Sequence, residues 1–208
     1  SIARIFLPIP FAVFASVCLF YAIKRTLQTA DVDMGVMLYV FAAFSTLGFC
    51  YLSERKGLAF LAAFFVGLAL GTKYQAMFYL PALAAAFLMV ERGWKTLVLA
   101  AFVAIFTGSF WYIRNFLVSG DPIHPIGGSI FGYWLWNAAD IRGQFADLQS
   151  VRGFPPWYLS ISVGSLLFWR SSVPALKGCM AATFIAVVVW SIFSGYDRYL
   201  MPIYPMLA

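Results

Sequence analysis

Apolar residues run along this chain in long uninterrupted blocks, and charged ones are confined to the joins. Charge-free stretches cover Ile5 to Ile23, Met34 to Ser53, Gly57 to Thr72, Tyr74 to Val90, Thr96 to Ile113, Gly153 to Trp169 and Gly178 to Tyr196, each 16 to 20 residues long. Twenty residues make about 30 Å of helix, which is the thickness of a hydrocarbon core. Each block is apolar on all sides rather than along one stripe, as suits a helix surrounded by protein or lipid. Only helices and closed barrels satisfy their backbone groups in lipid, and these blocks are too long and uniform for barrel strands. The pattern predicts an all-α, polytopic transmembrane helical bundle of about seven spans over 1–208, read as a single domain. Pro155 and Pro156 weaken the sixth span, and Lys73 alone divides the third from the fourth.

One segment breaks the pattern. Between Arg114 and Arg152 polar residues are frequent, and this stretch is expected to be a long external loop. Within it Trp134, Ala138, Ile141, Phe145 and Leu148 recur at spacings of four, three, four and three, with Asn137, Asp140, Arg142, Gln144 and Asp147 on the other face. That predicts an amphipathic helix lying at the membrane surface or shaping a cleft. Phe131, Tyr133, Trp134 and Trp136 suit headgroup depth.

Composition sharpens the class. The chain is 63% hydrophobic and 11% charged, against about 45–50% and about 25% for a soluble domain. This excludes a disordered chain and a soluble globular fold. The net charge of +6 comes from basic residues spread singly or in pairs between apolar runs, so no nucleic-acid partner is implied. Arg55, Lys56, Arg92, Lys95, Arg170 and Lys177 crowd the short even-numbered joins, which the positive-inside rule puts in the cytoplasm; Lys24 and Arg25 count against this. The opposite, non-cytoplasmic side then receives Asp31, Asp33, Lys73, Arg114, His124, Asp197 and Arg198. Cys18, Cys50 and Cys179 lie in apolar runs and read as buried small hydrophobes. Ser1 at the start and a fresh apolar run at the end read as an internal piece of a larger membrane protein.

The few remaining charges are the candidate chemistry. Asp31 and Asp33 sit at the mouth of the second span. They are a solvated helix start, or carboxylates facing a cavity, able to hold a divalent cation (Mg or Mn) or to act as a base. Lys73 either snorkels to the interface or offers a cation to a phosphate, with Gly67 and Gly71 before it permitting close helix approach or a break. Arg114 could pair with phosphate or with Asp121. His124 is the sole histidine, a structural residue or one with a metal, base or phosphate role. Asp197 and Arg198 neutralise each other, or Arg198 reaches an anionic headgroup. No Ser/His/Asp elbow, HExxH or Walker loop is present.

In order, the chain carries an Asp-containing turn, Gly-Leu-Ala-Leu-Gly-Thr-Lys-Tyr at 67–74, Pro81, Trp-Tyr-Ile-Arg-Asn at 111–115, Gly-Asp-Pro-Ile-His-Pro at 120–125 and Arg-Tyr-Leu-Met-Pro-Ile-Tyr-Pro at 198–205. This succession resembles the membrane-embedded GT-C glycosyltransferases, in the branch of dolichyl-phosphate-mannose protein mannosyltransferases and bacterial lipid A sugar transferases. The resemblance implies an inverting enzyme of the bacterial inner (plasma) membrane. It would move a sugar from a polyprenyl-phosphate donor to a lipid, glycan or protein acceptor on the non-cytoplasmic face. By the same resemblance Asp33 matches the family's acid at the second-span mouth, and Lys73 and Arg198 face lipid phosphate. The family's main catalytic acid lies in a first external loop, expected upstream of residue 1. The alternatives are a transporter or flippase of a lipid-linked substrate and a non-catalytic membrane scaffold. Charges gathered at one interface favour the enzyme over a transporter, which would place them at the midplane.

Overall fold

The computed structural model describes residues 32–55, 57–90, 93–150, 164, 166–172, 174–193 and 196–203. The expected first span, most of the sixth, and Asp31 lie outside them. Among the described residues every regular element is helical. The α-helices are α1 (Asp33–Ser53), α2 (Gly57–Thr72), α3 (Leu80–Val90), α4 (Trp94–Ser119), α5 (Gly128–Phe131), α6 (Ala138–Ser150) and α7 (Pro174–Phe193). Three 3-10 segments join them: η1 (Tyr74–Tyr79), η2 (Leu166–Ser171) and η3 (Asp197–Ile203).

The apolar blocks and the helices agree closely for α1 and α2, and elsewhere they differ for local reasons. The block from Tyr74 to Val90 is not one helix. Lys73 leaves α2 in an extended conformation (φ −161°, ψ 142°), η1 follows, and α3 starts only at Leu80. Pro81 lies in the first turn of α3, where its missing N–H leaves no bond unmade. The expected end of the fifth block at Ile113 is also corrected. Arg114 does not stop α4, which runs to Ser119 and ends at Gly120 (φ 74°), whose N–H bonds back to Phe116 in a left-handed cap. Residues 114–119 are therefore helix rather than loop.

The amphipathic helix exists but starts later than Trp134. Asn137 is its N-cap: its Oδ1 accepts the N–H groups of Ala139 (2.7 Å) and Asp140 (3.1 Å). The Asp140 carboxylate in return accepts the N–H of Asn137 at 2.9 Å. This reciprocal capping box ties the start of α6. Asn137→Ala is expected to destabilise α6 by about 1 kcal/mol, seen as faster amide exchange in its first turn. Leu148 packs against the core, whereas Phe145 remains exposed.

α2 lies between α1 and α4, α3 packs on α7, and η3 closes against α1 and α7. Val40, Leu47, Trp190, Leu200 and Ile203 are among the core residues. The α2–α4 contact is built from small residues. Ala100, Ala104 and Gly108 recur every fourth position on the buried side of α4; Ala104 faces Gly67 of α2, and Gly108 faces both Gly67 and Gly71. A Cβ at Gly108 would lie 2.8 Å from the carbonyl oxygen of Gly67. The Thr107 and Tyr112 hydroxyls reach the α2 carbonyls of Phe64 (3.4 Å) and Leu70 (3.1 Å). Small faces glued by hydroxyl bonds are the usual means by which helices associate in lipid.

α1 and α4 are long and apolar enough to cross a membrane. Only 11% of the apolar stretch of α4 is buried, against 44% for α1. Phe102, Ile105, Phe106, Phe110 and Leu117 all project outward from α4. Cys50 is buried as expected, but Cys179 is exposed on α7. An apolar run buries a residue only on the side that meets protein.

Candidate functional site

Asp33 occupies the first turn of α1, where the helix dipole favours a carboxylate. It is only 3% exposed. Desolvating a carboxylate to that extent demands a charged partner, and Lys73 supplies it: Nζ lies 2.6 Å from Asp33 Oδ1. The extended backbone at Lys73, between α2 and η1, is where this cation enters. Its ammonium also lies 5.0 Å from the ring centroid of Tyr199 in η3. The Tyr199 hydroxyl is 3.4 Å from Gln75 Nε2, and its carbonyl accepts the Tyr79 hydroxyl. Four elements, α1, α2, η1 and η3, thus converge on one ion pair. Arg198 precedes Tyr199 on η3; its side chain, like that of Asp197, lies outside the described residues.

A second cluster forms where α4 ends. Tyr74, next to Lys73, donates its hydroxyl to the His124 carbonyl at 2.5 Å and accepts from Asn115 Nδ2 at 2.6 Å. The Arg114 guanidinium lies over the Trp111 ring at 4.8 Å. The His124 ring meets Trp134 edge-on at 5.4 Å. Together these groups line a cleft of about 380 Å³.

Asp121 is fully buried beneath this loop. Its Oδ1 accepts the N–H of Ile123 at 2.9 Å, and Oδ2 has no hydrogen-bond partner among the described residues. A side chain at Gly127 would run into this carboxylate, so the glycine makes room for it. The peptide bond between His124 and Pro125 is cis. Of the two partners open to Arg114, Asp121 is not taken. Among the described residues the ion pair is Asp33 with Lys73.

The expected site residues therefore fall into two groups. Asp33 joins Lys73, and Arg114 and His124 share the cleft with Asp121 below. The hubs that hold them, Tyr74, Asn115 and Tyr199, lie inside the motifs quoted above without having been singled out. Asn115 carried a signal: it is a neutral polar residue adjoining a long apolar run. Among the described residues no three His, Cys, Asp or Glu side chains gather as a cation site. Asp33 Oδ1 holds Lys73, Asp121 is closed into its own turn, and Asp31, the other carboxylate considered for a divalent cation, lies outside the described residues.

No family model and no solved structure matches the chain. A curated protein of Shigella flexneri, described as uncharacterized protein SF2092/S2214, is 35% identical over 129 residues, covering 56% of this chain and 70% of the relative. At that identity and coverage, the chain belongs to the same family as this uncharacterized Shigella protein.

Proposed function

We propose that the chain is part of a membrane glycosyltransferase that takes a sugar from a polyprenyl-phosphate donor. The observation that carries the reading is the Asp33–Lys73 pair, a carboxylate and a cation joined across 40 residues of almost uncharged sequence. Sugar transfer from a lipid phosphate needs both. The acceptor hydroxyl attacks the anomeric carbon and gives its proton to a carboxylate. The bond from that carbon to the phosphate oxygen breaks, and the phosphate leaves with the electron pair. Lys73 would shift from Asp33 to the departing phosphate, stabilising its charge and freeing the Asp33 carboxylate as the base. Asp31 is the neighbouring acid, and Arg114 and Arg198 are further cations for the donor phosphate. The resemblance of the ordered motifs to those of the GT-C enzymes supports this reading. The long apolar helices support a bundle in the bilayer, about seven spans in all. The reaction is placed on the non-cytoplasmic face of a bacterial inner membrane, and the membrane lipids are the surroundings.

The test is transfer from defined polyprenyl-phosphate sugars to lipid or glycan acceptors by the whole protein, with and without a chelator. Lys73→Ala and Arg198→Ala are each expected to lower turnover by about 100-fold or more, as for loss of a charge-stabilising group. Full activity in both variants, with unchanged thermal unfolding, would overturn the assignment.

A further inference from the structure

α6 lies outside the Asp33–Lys73 cluster, yet it is tied to it. The middle of the helix is open: Gly143, Gln144, Phe145 and Ala146 are all exposed. The ties are nearer its ends. Ile141 lies against α5, where a Cβ added to Gly128 would come within 3.5 Å of it. Leu148 packs against the core. Beside Leu148, Asp147 Oδ2 accepts the Tyr196 hydroxyl at 2.6 Å, across 49 residues of chain. Tyr196 is a junction of three elements. Its hydroxyl reaches α6, and its carbonyl accepts the Trp190 indole N–H of α7 at 2.8 Å and the Tyr199 N–H of η3 at 3.0 Å. Trp190 is buried, so the junction is fixed to the core on that side.

From this junction the contacts continue inward. The Tyr199 backbone is held on both sides, its N–H by Tyr196 and its carbonyl by the Tyr79 hydroxyl. Its ring rests on the Tyr196 ring, with centroids 5.6 Å apart, and the Lys73 ammonium lies 5.0 Å from it. A continuous path thus runs from an exposed carboxylate on α6 to the Asp33–Lys73 pair. Lysine is a compact charge on a flexible stem, and the Lys73 side chain is 20% exposed. Asp33 fixes its end from one side, and the Tyr199 ring is the wall on another. A charge-stabilising group acts only from the right place, so the position of that wall matters to the chemistry.

We infer that Asp147 and Tyr196 are positioning residues: α6 is a strap that sets the place of Lys73 through the Tyr199 ring. The inference rests on the proposed transferase only for its effect on turnover. The test has two readouts on the whole protein in detergent. One is the rate of Lys73 acetylation by acetic anhydride, followed by mass spectrometry; the other is transfer from a polyprenyl-phosphate sugar. Tyr196→Phe keeps the ring and the carbonyl and drops only the hydroxyl. Asp147→Ala removes the acceptor, whereas Asp147→Asn keeps an oxygen that accepts the same bond. Tyr196→Phe and Asp147→Ala are expected to speed Lys73 acetylation about threefold or more, the scale of one lost hydrogen bond. They are expected to lower kcat by a similar factor with the donor KM unchanged. Asp147→Asn is expected to behave as wild type in both readouts, as is Gln144→Ala on the open middle of α6.

Unchanged Lys73 acetylation in Tyr196→Phe and Asp147→Ala overturns the inference. So does an equal rise at Lys95 and Lys177, which would mean a general loosening of the fold. The outcomes separate the two proposals. Faster Lys73 acetylation in a protein that transfers no sugar keeps the strap and sinks the enzyme. Lowered turnover with unchanged acetylation keeps the enzyme and sinks the strap.

Discussion

Asp33→Ala is expected to destabilise the folded protein by about 3–5 kcal/mol, and Lys73→Met added to it is expected to restore much of the loss. Asp33 is 3% exposed and Lys73 Nζ lies 2.6 Å from it. Removing the carboxylate leaves an ammonium largely out of water, with the Tyr199 ring as its neighbour. Removing both charges takes away that cost, because methionine fills the space of a lysine stem without needing a partner. The comparison is a double-mutant cycle read from unfolding in detergent, with the double variant expected to lose less than the two single variants added together. Singles that each lose less than about 1 kcal/mol would mean a pair bathed in solvent, as on an ordinary surface. The same cycle bears on chemistry. A pair worth several kcal/mol holds Lys73 in place before any ligand arrives, so a phosphate must compete with Asp33 for it. The double variant should then fold well and fail to transfer sugar, which distinguishes a positional role from a merely structural one.

Much of this arrangement could be read along the chain, and the remainder depends on contacts that periodicity does not encode. The charge-free runs located α1 and α2 because Asp33, Glu54 and Lys73 fall at their ends. The same logic misjudged the end of α4. Arg114 is a charge, yet it is exposed and rests on Trp111, so it costs the helix nothing; the true stop is Gly120, which adopts a left-handed conformation. The division of the fourth block was invisible to hydropathy, because a 3-10 turn and an α-turn of Tyr-Gln-Ala-Met-Phe-Tyr have the same composition. Scarcity made Asp33, Lys73, Arg114 and His124 stand out as candidates. It could not pair them, since Asp33 and Lys73 are 40 residues apart and either could have met another charge. The neutral groups that organise both clusters were hardest to see. Tyr74, Tyr79 and Tyr199 count as apolar in a hydropathy pattern, yet their hydroxyl, carbonyl and ring atoms join the elements around the site.

Gly67→Leu is expected to separate α2 from α4 and to cost about 3 kcal/mol, the upper end for overpacking a tight core. The reason is the identity of the neighbours. A Cβ at Gly67 would overlap the Thr107 hydroxyl and the carbonyl oxygen of Ala104. A side-chain hydroxyl can rotate away, but a backbone carbonyl moves only with its helix. Gly67→Ala should already destabilise, although alanine is intrinsically the better helix former by about 1 kcal/mol. Gly48 on α1 is the matched control, since a Cβ there meets nothing within 4 Å. Gly48→Ala is therefore expected to be neutral or to stabilise by up to about 1 kcal/mol. Opposite signs for the same change at two helical glycines would isolate the packing contribution from propensity. Equal signs would mean that α2 and α4 do not approach as closely as the Gly67–Gly108 contact requires. Separation would also reach the site. Tyr112 bonds α4 to the Leu70 carbonyl at 3.1 Å, and Asn115 of the same helix holds Tyr74 at 2.6 Å. Shifting α4 away from α2 would pull Asn115 from Tyr74 and open the floor of the cleft. Turnover in Gly67→Leu should therefore fall even in the fraction that remains folded.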